Sequence, residues 1–188
     1  MRNYDNITDL AADFVDGFDN TSGIAEQAYF IPYSWFAEIK QPDPEATTAE
    51  GVVTITESHV LKEGKQPISI QPLFEKSGST TALEGEVLSQ IFNTGAEFFL
   101  PNVQAKNIGT ARAIKNYRGI FLIRRIGQQE GFFQIGDKDI AAYIRNIEGG
   151  LGTGPTGEVG LKFTAGAYSL APYYVYTGEL PAPAPGGG

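Results

Sequence analysis

His59 is the only histidine in the chain, so any nucleophile-and-base triad would have to take its base from this one imidazole. No G-x-S-x-G elbow accompanies it. Within "VVTITESHV", Val52 to Val60, it alternates with Val53 and Ile55, the pattern of a side chain lining one face of a strand. The glycine-rich run from Gly149 to Gly160 contains Gly152, Gly154 and Gly157 in the spacing G-x-G-x-x-G, and Gly152 and Gly157 also match the outer glycines of a phosphate loop. A dinucleotide fingerprint must open a helix, whereas "EVGLKFTAG" alternates as a strand. A phosphate loop needs Lys and then Ser or Thr after its last glycine, where Glu158 and Val159 stand. The run therefore reads as a loop between strands. Asp137 and Asp139 in "GDKD" have the beginning of a calcium loop but lack its third ligand and its closing glutamate, near whose place Gly149 falls, so they read as a turn. No pair among the many acids is marked out for glycoside hydrolysis. Cysteine is absent, which excludes disulfides and thiolate metal sites and is compatible with assembly in a cytosol. A chain that is not an enzyme and holds no cofactor or metal is expected.

The elements that would carry these residues are mostly strands. With 188 residues the chain is long enough for one domain plus an ordered arm, and its nine Tyr and twelve Phe suit pleated sheets. From Ala28 to Ile39 the odd positions Tyr29, Ile31, Tyr33, Trp35, Ala37 and Ile39 give the period of a strand with one strongly buried face, interrupted at Pro32 by an edge, bend or bulge. Gln41 to Gly51 has loop composition. Val52 to Val60 and Pro67 to Phe74 read as paired strands, and Leu83 to Phe92 as a strand or strand pair broken at Gly85. Asn102 to Tyr117 is the best helix, capped by Asn102, with Ala105, Ile108, Ala111 and Ile114 at helical spacing. "IFLIRRI", the turn "GQQEG" and "FFQIG" form the clearest hairpin, and "IAAYIRNIEG", "EVGLKFTAG" and "LAPYYVYTG" are three more strands. The expected class is β-rich α+β: a sandwich or barrel of about eight to ten mostly antiparallel strands flanked by one main helix. Residues 1–22 form an acidic arm, 23–180 a single domain, and 181–188, ending "PAPAPGGG", an extended mobile tail that joins no ladder.

Charge is the more informative feature. Fourteen basic against 22 acidic side chains give a net charge of −8, which argues against a protein gripping nucleic acid by its phosphates. There is no apolar run of membrane-spanning length and no basic-then-apolar leader, so a soluble, unprocessed chain is expected. Residues 1–50 hold ten acids against Arg2 and Lys40, whereas Phe98 to Gln129 contains no acid but carries Lys106, Arg112, Lys115, Arg118, Arg124 and Arg125. In the arm, Ile7, Leu10, Phe14 and Phe18 recur at helical spacing among Asp5, Asp9, Asp13, Asp16 and Asp19. Such a stripe docks on the body or on a neighbouring subunit; a partly disordered terminus is the plainer alternative. If the acidic arm and the basic region reach opposite ends of the body, identical copies attract head to tail, and Asp9, Asp13, Phe14, Asp16 and the six basic residues form an assembly interface. Neutralisation within one chain accounts for the same pattern.

The order of features from Asn102 to Gly178 resembles the tail-tube proteins of bacteriophages: a helix, "RGIFLIRR", a turn, "GFFQIGDKDIAAYI", a Gly-rich loop, "GEVGLKFTA" and "PYYVYTG". The family's motif positions fall on Gln134, Ile135 and Gly136, then Leu161, Phe163 and Thr164, then Tyr173 and Tyr174. The resemblance implies a β-barrel or sandwich flanked by a helix and a homo-oligomer of hexameric rings stacked into a tube. The tube belongs to a virion tail assembled in the host cytoplasm and joined to neck or other tail proteins, with DNA passing through it unbound and no membrane involved. The acidic arm and the Pro/Gly tail fall outside the resemblance, which leaves open a neck, terminator or injection-machine tube protein. A sugar-binding β-sandwich using Tyr173, Tyr174 and Tyr176 is the reading from another class.

Overall fold

A computed structural model of the chain describes residues 22–101 and 103–183. The strand most central to it is the one whose sequence is apolar at successive positions. Arg118–Arg125, here β8, buries Phe121 and Ile123 in one hydrophobic core and Ile120 and Leu122 in a second. A strand covered on both faces reads as a continuous apolar run because neither side needs polar residues. Before it in chain order come β1 (Ile24–Pro32), β2 (Phe36–Glu38), β3 (Thr54–Ile55), β4 (Val60–Leu61), β5 (Ile68–Ile70), β6 (Gly78–Glu84), β7 (Ile91–Pro101) and the helix α1 (Ala105–Ile114). After it come β9 (Phe132–Ile135), β10 (Ala142–Gly150), β11 (Gly160–Ser169), β12 (Tyr174–Tyr176) and β13 (Ala182–Pro183).

One edge of β8 pairs with β1, and β1 pairs in turn with β5. The other edge of β8 splits: Phe121 to Ile123 pair with β9, while Arg118 and Gly119 pair with β10. The ten-stranded sheet folds at this split into two leaves. β9 leads to β12 and β3, whereas β10 leads to β11, β7 and β6. Ala28 and Phe30 of β1, Phe121 of β8 and Ile135 of β9 then face Phe98, Ile144, Phe163 and Ala165 across the first core. The small sheet β13-β4-β2 covers the opposite face of the central leaf, so Phe36 and Leu61 meet Ile31, Ile120, Leu122 and Tyr176 in the second core. The result is a β-rich α+β sandwich, and the described residues do not close into a barrel. All pairings are antiparallel except β3 with β12 and β4 with β13. Close approach of β1 to β8 requires Gly119, where an added Cβ would collide with the Ile31 carbonyl and the Phe30 ring.

Several expectations are corrected by this packing. The described residues hold thirteen strands, more than the eight to ten expected, because β2, β3, β4, β5, β12 and β13 are pieces of two or three residues. β1 buries both faces, with Ala28 and Phe30 on one side and Ile31 on the other, and the period breaks after Pro32 in a 3-10 turn over Tyr33–Trp35. Val52 to Val60 is not one strand and does not pair with Pro67 to Phe74. The chain leaves β3 to insert His59 into the core before β4 begins, and β5 pairs with β1. α1 is capped by the backbone at Gln104 with no side-chain cap, and Asn102 lies outside the described residues. Of the four helical positions only Ala111 and Ile114 are buried, and Ile108 is 51% exposed, because the helix lies over an open side of the sandwich with Asn107, Thr110 and Ile114 beside β5 and β7. At the C-terminus Ala182 and Pro183 do join a ladder, pairing parallel with Val60 and Leu61. A two-residue edge strand tolerates a proline because it needs few N–H donors. Residues 184–188 of the expected tail lie outside the described residues.

Candidate assembly surface

β6 and β7 form a hairpin in continuous register from Gly78 opposite Glu97 to Glu84 opposite Ile91. β7 is tied into the body by β11, but β6 ends the sheet, and its outer edge meets no further strand among the described residues. Its sequence, Gly-Ser-Thr-Thr-Ala-Leu-Glu, has no Lys, Pro or bulge to blunt that edge. Such an edge is a template for another strand. Leu83 near the end of β6 and Val87 and Leu88 in the turn beyond it are 50%, 80% and 98% exposed. Leu88 also has a φ of 71°, and no other non-glycine among the described residues has positive φ. A branched side chain in the left-handed region costs of order 1–3 kcal/mol. An apolar, exposed and strained residue at a hairpin tip is the feature sequence reading missed. Its signal was present in "GEVLSQ", an apolar pair enclosed by turn-forming residues.

The six basic residues of the proposed interface do not form one surface. Arg112 and Lys115, three apart on exposed helix positions, lie together at the C-terminal end of α1. Arg118 opens β8 close to Tyr33, whose pKa is pushed up by burial and by Asp137 and Asp139 and drawn down by Arg118. Arg124 and Arg125 stand at the far end of β8, about 23 Å away at strand rise. Lys106 faces the cleft between α1, β5 and β7. Arg124 is engaged, donating to the Gly131 carbonyl at 2.9 Å with its guanidinium 4.1 Å from the Phe132 ring centre. Among the described residues no carboxylate pairs with any of the six; the ion pairs instead join Lys40 to Glu38 and Glu57, Lys76 to Glu158, and Lys162 to Glu97 and Glu148. The four acidic-arm positions Asp9, Asp13, Phe14 and Asp16 lie outside the described residues.

The candidates for chemistry are each accounted for by packing. His59 is buried: its Nδ1 accepts from the Lys40 N–H at 3.0 Å, which leaves the proton on Nε2 to donate to the Gln134 Oε1 at 2.8 Å. Its own N–H donates to the Tyr176 hydroxyl at 3.0 Å, and that hydroxyl donates to the Glu179 carbonyl at 2.6 Å. The imidazole stacks on Tyr176 with ring centres 4.6 Å apart. A neutral histidine thus fastens the β3–β4 segment to β9 and β12. Residues 151–159 of the glycine-rich run form the loop between β10 and β11, tethered where Glu158 meets Lys76, while Gly149, Gly150 and Gly160 belong to the flanking strands. Asp137 accepts from the N–H groups of Asp139 and Ile140, both at 2.7 Å, closing a turn. Tyr174 and Tyr176 are buried, and Tyr173 bonds Ser79 through its hydroxyl at 2.8 Å, so the three tyrosines make no sugar-stacking face.

The histidine gives a pH prediction. Burial, reinforced by Lys40 and opposed by the bond to Gln134, holds its pKa below the ordinary value of about 6.5. Below pH ~6.5 the unfolded chain takes up a proton that the folded chain refuses. Stability is therefore flat above that pH and falls by up to about 1.4 kcal/mol per pH unit until the folded-state value is reached. Most carboxylates titrate lower, so urea unfolding at pH 7.0 and 5.5 isolates this group. Equal midpoints would show that the imidazole protonates without penalty.

No protein-family model, curated protein or solved structure matches this chain. Fold and surface define its class: a layered β-sandwich whose β6 edge is unpaired among the described residues, with a projecting apolar hairpin. Among the described residues no helix is long and apolar enough to cross a membrane.

Proposed function

We propose that the chain is a structural, non-enzymatic subunit that assembles with copies of itself, as a tail-tube protein of a virion does, in rings stacked around a conduit for DNA. The observation that carries the reading is the β6–β7 hairpin. A bare seven-residue edge continues into an apolar tip, and a second copy offers both the strand to extend the sheet and a surface to cover Leu83, Val87 and Leu88. Ring closure removes every such edge at once. Cationic residues on α1 without carboxylate partners among the described residues and a net charge of −8 add a polarity that favours ordered contacts between copies. The same negative charge suits a conduit that does not retain passing DNA.

Negative-stain microscopy and multi-angle light scattering of the full chain at rising concentration test the reading. Rings, short stacks or filaments are expected. A strict monomer at high concentration across several salts would overturn it.

A further inference from the structure

A groove of about 280 Å³ opens at the end of the first core, between the two leaves. Its floor and walls are Ile24, Ile123, Phe133 and Tyr173, with Ser79 and Arg125 at the rim. Ile24 and Ile123 belong to the first core, whereas Phe133 and Tyr173 are only partly covered and meet edge to face at 5.7 Å. Strand alternation puts Arg125 on the face of β8 that carries Phe121 and Ile123, so its charge borders the apolar floor. Arg124 points to the other face, where Phe132 and Gly131 hold it. Gly23 also lines the groove, so the chain preceding β1 enters the described structure at this site.

We propose that the groove is the docking site for the chain's own residues 7–18, with Phe14 and Phe18 over Ile24, Phe133 and Tyr173 and Asp13, at the border of the apolar stripe, turned toward Arg125. Three properties of that segment match the groove. Position matches, because Phe18 precedes Gly23 by five residues, a reach of at most about 17 Å. Apolar surface matches, because Ile7, Leu10, Phe14 and Phe18 share one helical stripe. Charge matches, because Asp9, Asp13 and Asp16 share the face across the helix from the apolar stripe, Asp13 standing nearest its border beside Leu10, with no basic residue between Asn3 and Thr21, while Arg125 has no carboxylate partner among the described residues. Docking within one chain assigns this cation to the arm and leaves Arg112 and Lys115, at the other end of β8, for contacts between copies. The docking does not rest on the tube reading: it holds in a chain that never assembles.

Amide hydrogen exchange on the full chain, with cross-linking, tests it. In the wild type, residues 7–18 exchange at least about tenfold more slowly than an unstructured peptide of the same sequence. R125E removes that protection, and D13R/D16R added to R125E restores it, a rescue that general misfolding could not produce. A short bismaleimide applied to a D16C/R125C chain gives an intrachain product of monomer size, the sequence having no other cysteine. Random-coil exchange of residues 7–18, or protection unchanged by R125E, would overturn the proposal. A cross-linked dimer from mixed D16C and R125C single variants would place a second copy's arm in the groove and overturn docking in cis.

Discussion

In the proposed assembly, a V87D/L88D variant is expected to keep the wild-type circular-dichroism spectrum and unfolding midpoint and to lose association between copies. Both side chains project from a hairpin turn, 80% and 98% exposed, so the folded subunit loses almost no packing when they change. Between copies the balance differs. Burying a Val and a Leu contributes about 1.5–3 kcal/mol each. Losing both raises the concentration needed for assembly by ~10²- to 10⁴-fold at about 1.4 kcal/mol per decade, and a desolvated Asp at the contact adds to the loss. Sedimentation velocity across a concentration series reads the shift directly. Assembly at the wild-type concentration would show that the hairpin tip is not the contact. L88G separates strain from contact at the same site. Glycine adopts a φ of 71° freely, so the isolated subunit gains about 1 kcal/mol while assembly weakens.

Phe121→Ala is expected to destabilise the subunit by about 3–5 kcal/mol, a large share of the 5–15 kcal/mol that holds a typical domain together. Phe121 is fully buried, stacks on Phe30 at 4.6 Å and on Phe98 at 5.8 Å, and so joins β1 and β7 across the first core. No neighbour can fill the volume without leaving its own stack. I108A on the exposed flank of α1 should move the unfolding free energy by no more than ~0.5 kcal/mol. Chemical denaturation of both variants decides the comparison, and equal losses would mean that the helix packs by a different face.

Some local features are legible in the sequence alone. The β8–β9 hairpin follows from a β-branched run, a turn and a second apolar run, all within the span of one supersecondary unit, and it forms with Phe121 opposite Ile135. The β10–β11 loop is legible because residues flanking Gly152 to Gly157 forbid a phosphate site and the following strand alternates. The period of Val53, Ile55 and His59 marks a strand face, but His59 is buried from the irregular segment between β3 and β4. Its partners Gln134 and Tyr176 are 75 and 117 residues away, beyond any local signal.

By itself the sequence determined that this is a β-rich chain with one principal helix, because alternation and turn chemistry act over a few residues. It also carried the net negative charge and its uneven distribution, because charge is a sum over side chains. Only the tertiary structure decided what covers each face and which strand stands at an edge. Period two marks an apolar side but does not name its partner: β1 is enclosed on both faces, while β6, with a blander sequence, is left open. Likewise the basic residues between positions 106 and 125 do not gather in one place: Lys106 faces the cleft beside α1, and Arg118 is separated from Arg124 and Arg125 because an extended strand carries its two termini some 20 Å apart.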